Sequence, residues 1–243
     1  MPAIDRTHLV VGLPFLLATV LLTVPLGAPV PTPGLDPSWR LVLNLATDVQ
    51  FGRDIIFTYG PWGYLDSPLI TSTGAYGLAL LIRACVIAAL WVVSVRGLMN
   101  RWPLWAASPA VSIFVVLVAT SDLSTLVVAV TAQYVLRCAV SRATPGQPRT
   151  PLIGVACLAA LTGVMIQVKF SNGVAVGALA ALALVSDVGL GRRRQLTGWG
   201  YAITSFLGVG CAAWLARGQS LADVGPWLRG SVELTAGYPE AMG

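Results

Sequence analysis

Residues 74–95 read GAYGLALLIRACVIAALWVVSV. Arg83 is the one charged residue in that run. A helix needs roughly 20 mostly apolar residues to cross the hydrocarbon core of a bilayer. The apolar residues here fill every face rather than one stripe, the pattern of a helix buried in lipid. Six further runs meet the same test: 9–27, 104–120, 123–140, 151–168, 172–188 and 198–216. The third and fourth spans are separated only by TSDLS at 120–124, which predicts a tight helical hairpin. The expected fold is therefore all-α, a multi-pass transmembrane bundle of about seven spans over residues 1–216. Residues 217–243 would begin a further segment outside it.

Composition agrees. Of 243 residues, 56% are hydrophobic and 10% charged, against about 25% charged in soluble domains. Mean hydropathy is +0.78. The net charge of +5 does not indicate nucleic acid, because the basic residues are scattered between apolar runs and form no patch. Cys85, Cys138, Cys157 and Cys211 fall in or beside apolar runs without CxxC spacing and read as small buried hydrophobes. His8, the single histidine, rules out a histidine metal cluster. The first run reads as a retained helix, with a cleaved signal peptide as the alternative.

Charge also orients the chain. With the N-terminus in the cytoplasm, nine basic residues face in (Arg6, Arg96, Arg101, Arg137, Arg142, Arg149 and Arg192 to Arg194). Five face out: Arg40, Arg53, Lys169, Arg217 and Arg229. The bias favours this topology. Eight of the ten acidic residues then gather outside. The working surface is expected on the outer face of the cytoplasmic membrane, in the loop 28–73 between the first two spans.

That loop has two parts. Asp36 and Pro37 suit a helix start. Trp39, Val42, Leu43, Ala46 and Val49 then share one face, and Arg40, Asn44, Thr47 and Asp48 the other. This predicts an amphipathic helix in the interface plane. The second part, FGRDIIFTYGPWGYLDSP at 51–68, crowds Phe57, Tyr59, Trp62 and Tyr64 among helix-breaking Gly and Pro. It reads either as an interfacial aromatic belt or as a platform on which sugar rings stack. Asp36 serves as a helix cap, a general base or both.

The order of cytoplasmic N-terminus, one span and an outer loop opening on an acid and an interfacial helix resembles the C-type integral-membrane glycosyltransferases. The protein O-mannosyltransferase-like and aminoarabinose-transferase-like enzymes are the nearest in pattern. Asp36 matches the family's first loop acid, Trp39 stands near its Tyr, and GRDIIFTYGPWGYL stands at its Pro-aromatic stretch. VMIQVKFSNG at 164–173 is similar to its Lys-Gly-Pro element, with Lys169 as the lysine. Pro37 replaces the family's second acid, and the Lys169 element lacks its proline. FTYGP is also similar to loops of large actinobacterial membrane proteins. Such enzymes carry more spans, so the chain reads as an N-terminal part of one.

The resemblance implies transfer of a sugar from a polyprenyl-phosphate carrier to the hydroxyl of a cell-envelope glycan, lipid or protein. Asp36 would take the acceptor proton, with Asp54 assisting or else pairing with Arg53 or Arg40. Trp39, Tyr59, Trp62 and Tyr64 would line the substrate, and Arg53, Arg83 and Lys169 would meet the leaving phosphate. Arg83 lies inside a span, where charge is costly enough to suggest a role, either with donor or with a partner helix. No cofactor is implied; outer carboxylates could hold magnesium or manganese, but no ligand spacing requires a divalent metal. Asp122, in the hairpin turn, reads as a helix cap. A transporter is the alternative, though the sequence shows no inverted halves. A non-catalytic remnant is the other.

Overall fold

The computed structural model describes residues 6–24, 49–66, 73–99, 102–118, 122–143, 152–185 and 192–242. Among the described residues the regular elements are all helices. Eight α-helices run in the order α1 (Arg6–Thr23), α2 (Thr73–Leu98), α3 (Leu104–Val118), α4 (Leu123–Ala143), α5 (Leu152–Val168), α6 (Phe170–Val185), α7 (Arg192–Ala216) and α8 (Val224–Met242). Short 3₁₀ turns cover Gly63–Leu65 and Leu221–Asp223. Among the described residues the only extended pairing is an isolated bridge between Phe51 and Ile55.

All seven runs singled out by apolarity are helices. Two, Tyr76–Leu98 in α2 and Gln195–Ala216 in α7, are long and apolar enough to cross a membrane. The other five apolar stretches have 10–17 residues, which at 1.5 Å per residue is short of the ~30 Å hydrocarbon core. The eighth helix was not expected. Its run VGPWLRGSVELTAGYPEAM carries too many polar residues and prolines to stand out by apolarity.

The helices pack through apolar clusters such as Ile87, Leu90, Trp91, Val111 and Val115, with polar groups buried among them, and present further bulky apolar groups outward. On α7, Tyr201, Ile203, Leu207 and Leu215 are exposed, as are Ile113 and Leu117 on α3. Thr131, Ser108 and Thr162 are buried. Trp91 Nε1 donates to Ser112 Oγ at 3.0 Å, and Ser94 Oγ to Gln133 Oε1 at 2.8 Å, tying α2 to α3 and to α4. Helix α5 packs along both α6 and α7. It meets α7 tightly at Gly163, which faces Gly210, and Gln167 Nε2 donates to the Gly210 carbonyl at 2.7 Å.

A single residue, Lys169, separates α5 from α6. Gly173 makes this reversal feasible, since a Cβ there would strike the Ile166 backbone. So short a joint strands the polar backbone groups of both helix ends. The loop segment 49–66 satisfies them: Phe170 N–H donates to the Thr58 carbonyl at 2.8 Å, and Trp62 N–H to the Gln167 carbonyl at 3.2 Å.

Candidate functional site

The site grows from that docking. Segment 49–66 lies across one end of the bundle, where α4, α6 and α8 start and α5 and α7 finish. It is held there largely through its backbone. Trp227 Nε1 and Ser231 Oγ both donate to the Phe57 carbonyl, at 3.1 and 3.0 Å. Gln219 clasps the start of the segment, accepting from Phe51 N–H at 2.8 Å and donating to the Val49 carbonyl at 2.9 Å. Gln50 answers with bonds to Gly218 O and Ser220 N–H. Gly52 takes φ 96°, and a Cβ there would collide with the Asp223 carbonyl. Phe51 is fully buried with Phe170, Trp214 and Trp227.

The segment ends at Asp66, 6% exposed. Its Oδ1 accepts from Ser124 N–H at 2.7 Å and its Oδ2 from Ser124 Oγ at 3.0 Å. Asp66 thus caps the first turn of α4 from a distant part of the chain. Asp122, the residue expected to cap this helix, turns its carboxylate to Lys169 Nζ at 3.0 Å. Lys169 also stands 3.9 Å from Asp66 Oδ2 and lies 5.3 Å from the centre of the Tyr59 ring. Asn172, one turn into α6, donates to Ser124 Oγ at 2.7 Å. Arg83 on α2 lies within the electrostatic reach of both Asp66 and Asp122. The local group therefore holds two positive and two negative side chains.

Burial pushes the Asp66 carboxyl above its ordinary 3.8, and the Ser124 hydrogen bonds and Lys169 only partly oppose it. For Lys169, burial acts to lower the pKa, but hydrogen bonds to Tyr59 and Asp122 and the field of Asp66 prevail and raise it. A lysine raised in the folded state stabilises fully below its unfolded value, and that contribution is lost as pH climbs through the folded one. The chain should therefore keep this contribution up to about pH 10.5 and lose it above. Unfolding midpoints measured from pH 8 to 12 in detergent should fall more steeply for the native chain than for Lys169→Met. Parallel curves would refute the coupling.

A second cation is set differently. Arg217, just past α7, lies 5.6 Å from the Trp62 ring and 5.0 Å from the Tyr64 ring. Its Nε donates to the Pro61 carbonyl at 3.2 Å.

The structure brings together part of the expected set. Tyr59 and Lys169 meet, with Arg83 nearby. Trp62 and Tyr64 stack at 5.9 Å, but Tyr59 and Tyr64 are buried, so their faces are core rather than an open sugar platform. Arg53 and Asp54 sit apart in an exposed turn, paired at 3.1 Å; the hydrogen bond from Arg53 holds Asp54 below its usual range. Asp36, Trp39 and nearly all of the expected interfacial helix lie outside the described residues. Val49, assigned to its apolar face, is non-helical.

Asp66, Asp122, Ser124, Asn172, Gln219 and Arg217 were not among the expected site residues. Their partners lie far along the chain, Asp66 and Ser124 being 58 residues apart, so no local spacing marks them. Among the described residues, no three His, Cys, Asp or Glu side chains lie close enough together to hold a metal ion. Comparison of the chain with protein families, with curated proteins and with solved structures finds no match.

Proposed function

We propose that the chain is a membrane glycosyltransferase of about seven spans, with its N-terminus in the cytoplasm. It would transfer a sugar from a polyprenyl-phosphate donor to an acceptor hydroxyl at the outer face. The observation that carries the reading is the cluster around Lys169. It gathers two carboxylates, a lysine and a tyrosine at the end of an apolar helix bundle, beside the loop that resembles the C-type enzymes. The bulky apolar side chains exposed on α3 and α7 support the spans beyond α2 and α7. So do Trp102 and Trp105, exposed at the opposite end, where interfacial tryptophans are expected.

In this reading Asp36 takes the proton from the acceptor hydroxyl as its oxygen attacks the anomeric carbon, and the lipid phosphate departs. Arg217 is the cation best placed to meet that phosphate, because no described carboxylate pairs with it. Lys169 and Arg53 are already paired; a phosphate would have to displace Asp122 to reach Lys169.

That pairing also favours a second reading, in which the cluster is a structural clasp in a non-catalytic membrane protein. Reconstitution with radiolabelled polyprenyl-phosphate sugars separates the two. Asp36→Asn should lower label transfer by at least 100-fold, the scale of a lost general base. Glu233→Gln, an exposed change on α8, should leave it intact. Transfer unaffected by Asp36→Asn removes the assigned base. No transfer by a well-folded native chain leaves the clasp.

A further inference from the structure

The end of the bundle away from Lys169 carries a second cationic feature. Helices α2 and α4 both start near the loop segment, so their C-terminal turns lie at the far end. There α2, α3 and α4 border an open groove of about 630 Å³. Arg96, Arg137, Ser94, Gln133, Phe114 and Leu136 line it. The Arg137 guanidinium lies against Gly97, where a Cβ would collide with its Nη2. Neither arginine has a described carboxylate partner, and the charge that acts on Arg137 is that of Arg96.

Arg96 is exposed and Arg137 half-buried, and an anion between the two guanidinium groups would relieve their mutual repulsion. The remaining wall is apolar and opens outward, since Phe114 and Leu136 are exposed by 45% and 65%. Ser94 and Gln133 are already bonded to each other beside the arginines. The feature thus has a charged head and an oily flank, the reverse of a site for a small polar anion.

We propose that this groove binds an anionic glycerophospholipid, its phosphate between Arg96 and Arg137 and an acyl chain along Phe114 and Leu136. Positive charge at this end would by itself serve only orientation, which needs charge and no groove. The groove and apolar flank add shape, and basic pockets between helices recognise lipid head groups in that way. The inference requires the chain to lie in a bilayer but not that it transfers a sugar.

Native mass spectrometry of the full chain in detergent tests it. Phosphatidylglycerol should be retained over phosphatidylcholine of equal chain length by about 25-fold, roughly fivefold for each arginine. Arg96→Gln with Arg137→Gln should abolish the preference, and Arg229→Gln, an exposed change on α8, should preserve it. The comparison of the two lipids on the native chain needs no variant, so a misfolded double variant does not remove the test. Equal retention of both lipids overturns the proposal, as does a preference that survives the double change in a folded protein. Displacement of phosphatidylglycerol by millimolar inorganic phosphate would also overturn it, because the site would then read phosphate without the lipid.

Discussion

Asp66→Ala is expected to destabilise the chain by about 3 kcal/mol. The change strands the buried Ser124 N–H and hydroxyl, which now donate to the two carboxylate oxygens at 2.7 and 3.0 Å. An unsatisfied buried donor costs about 1–3 kcal/mol, and losing a helix cap about 1 kcal/mol. These overlap at Ser124 N–H, so they do not simply add. The third loss is electrostatic: Lys169, 24% exposed at its side chain, keeps Asp122 as its one carboxylate partner among the described residues. Asp66→Asn separates these effects. It keeps an oxygen for Ser124 N–H and removes the charge. Because burial already drives the carboxyl toward its neutral form, Asn should cost about 1 kcal/mol, well below Ala. Chemical unfolding in detergent, followed by tryptophan fluorescence, measures both. Equal losses for Ala and Asn would place the energy in the charge; an Ala variant within about 0.5 kcal/mol of native would deny the cap.

How far the sequence reaches is clear from this residue. Each apolar run produced a helix because apolarity and helix length are properties of consecutive residues. The site is different. Asp122 stands just before α4 and has the chemistry of a cap, so local reading assigns it that task. The chain gives the task to Asp66 because segment 49–66 docks on the α5–α6 joint, which brings its last residue to Ser124. Lys169 was legible as a charge at a helix end; its three-way contact with Tyr59, Asp66 and Asp122 was not. The aromatic loop shows the same limit. Its rings suggested a surface, yet its backbone carbonyls and N–H groups are what two adjoining helix ends require, so Tyr59 and Tyr64 are drawn inward. The eighth helix was hidden because its stability rests on Trp227, buried against Trp214 and Phe170, a contact made across the fold.

The two glycines of the α5–α7 seam, Gly163 and Gly210, and Gly208 on the exposed face of α7 should respond to alanine in a fixed order, with Gly163→Ala the most damaging. A Cβ at Gly163 would stand 2.6 Å from the Phe206 carbonyl and 3.0 Å from Gly210 N. Both are backbone atoms of α7, so no side chain can swing aside; the helices must part. Parting them also stretches the Gln167 bond to the Gly210 carbonyl, now 2.7 Å. Overpacking of this kind costs about 1–3 kcal/mol, and the weakened bond adds roughly 1 kcal/mol. Gly210→Ala places its Cβ 3.4 Å from Gly163 Cα, an ordinary contact. Better helix propensity should then leave it near neutral. Gly208→Ala meets nothing within 4 Å and should gain up to about 1 kcal/mol. Small residues let helices approach closely, so Gly163 sets the distance and Gly210 only accommodates it. Thermal midpoints of the three purified variants decide the matter. A Gly210→Ala loss equal to that of Gly163→Ala would mean that the seam is tight from both sides and that the approach at Gly163 does not control it.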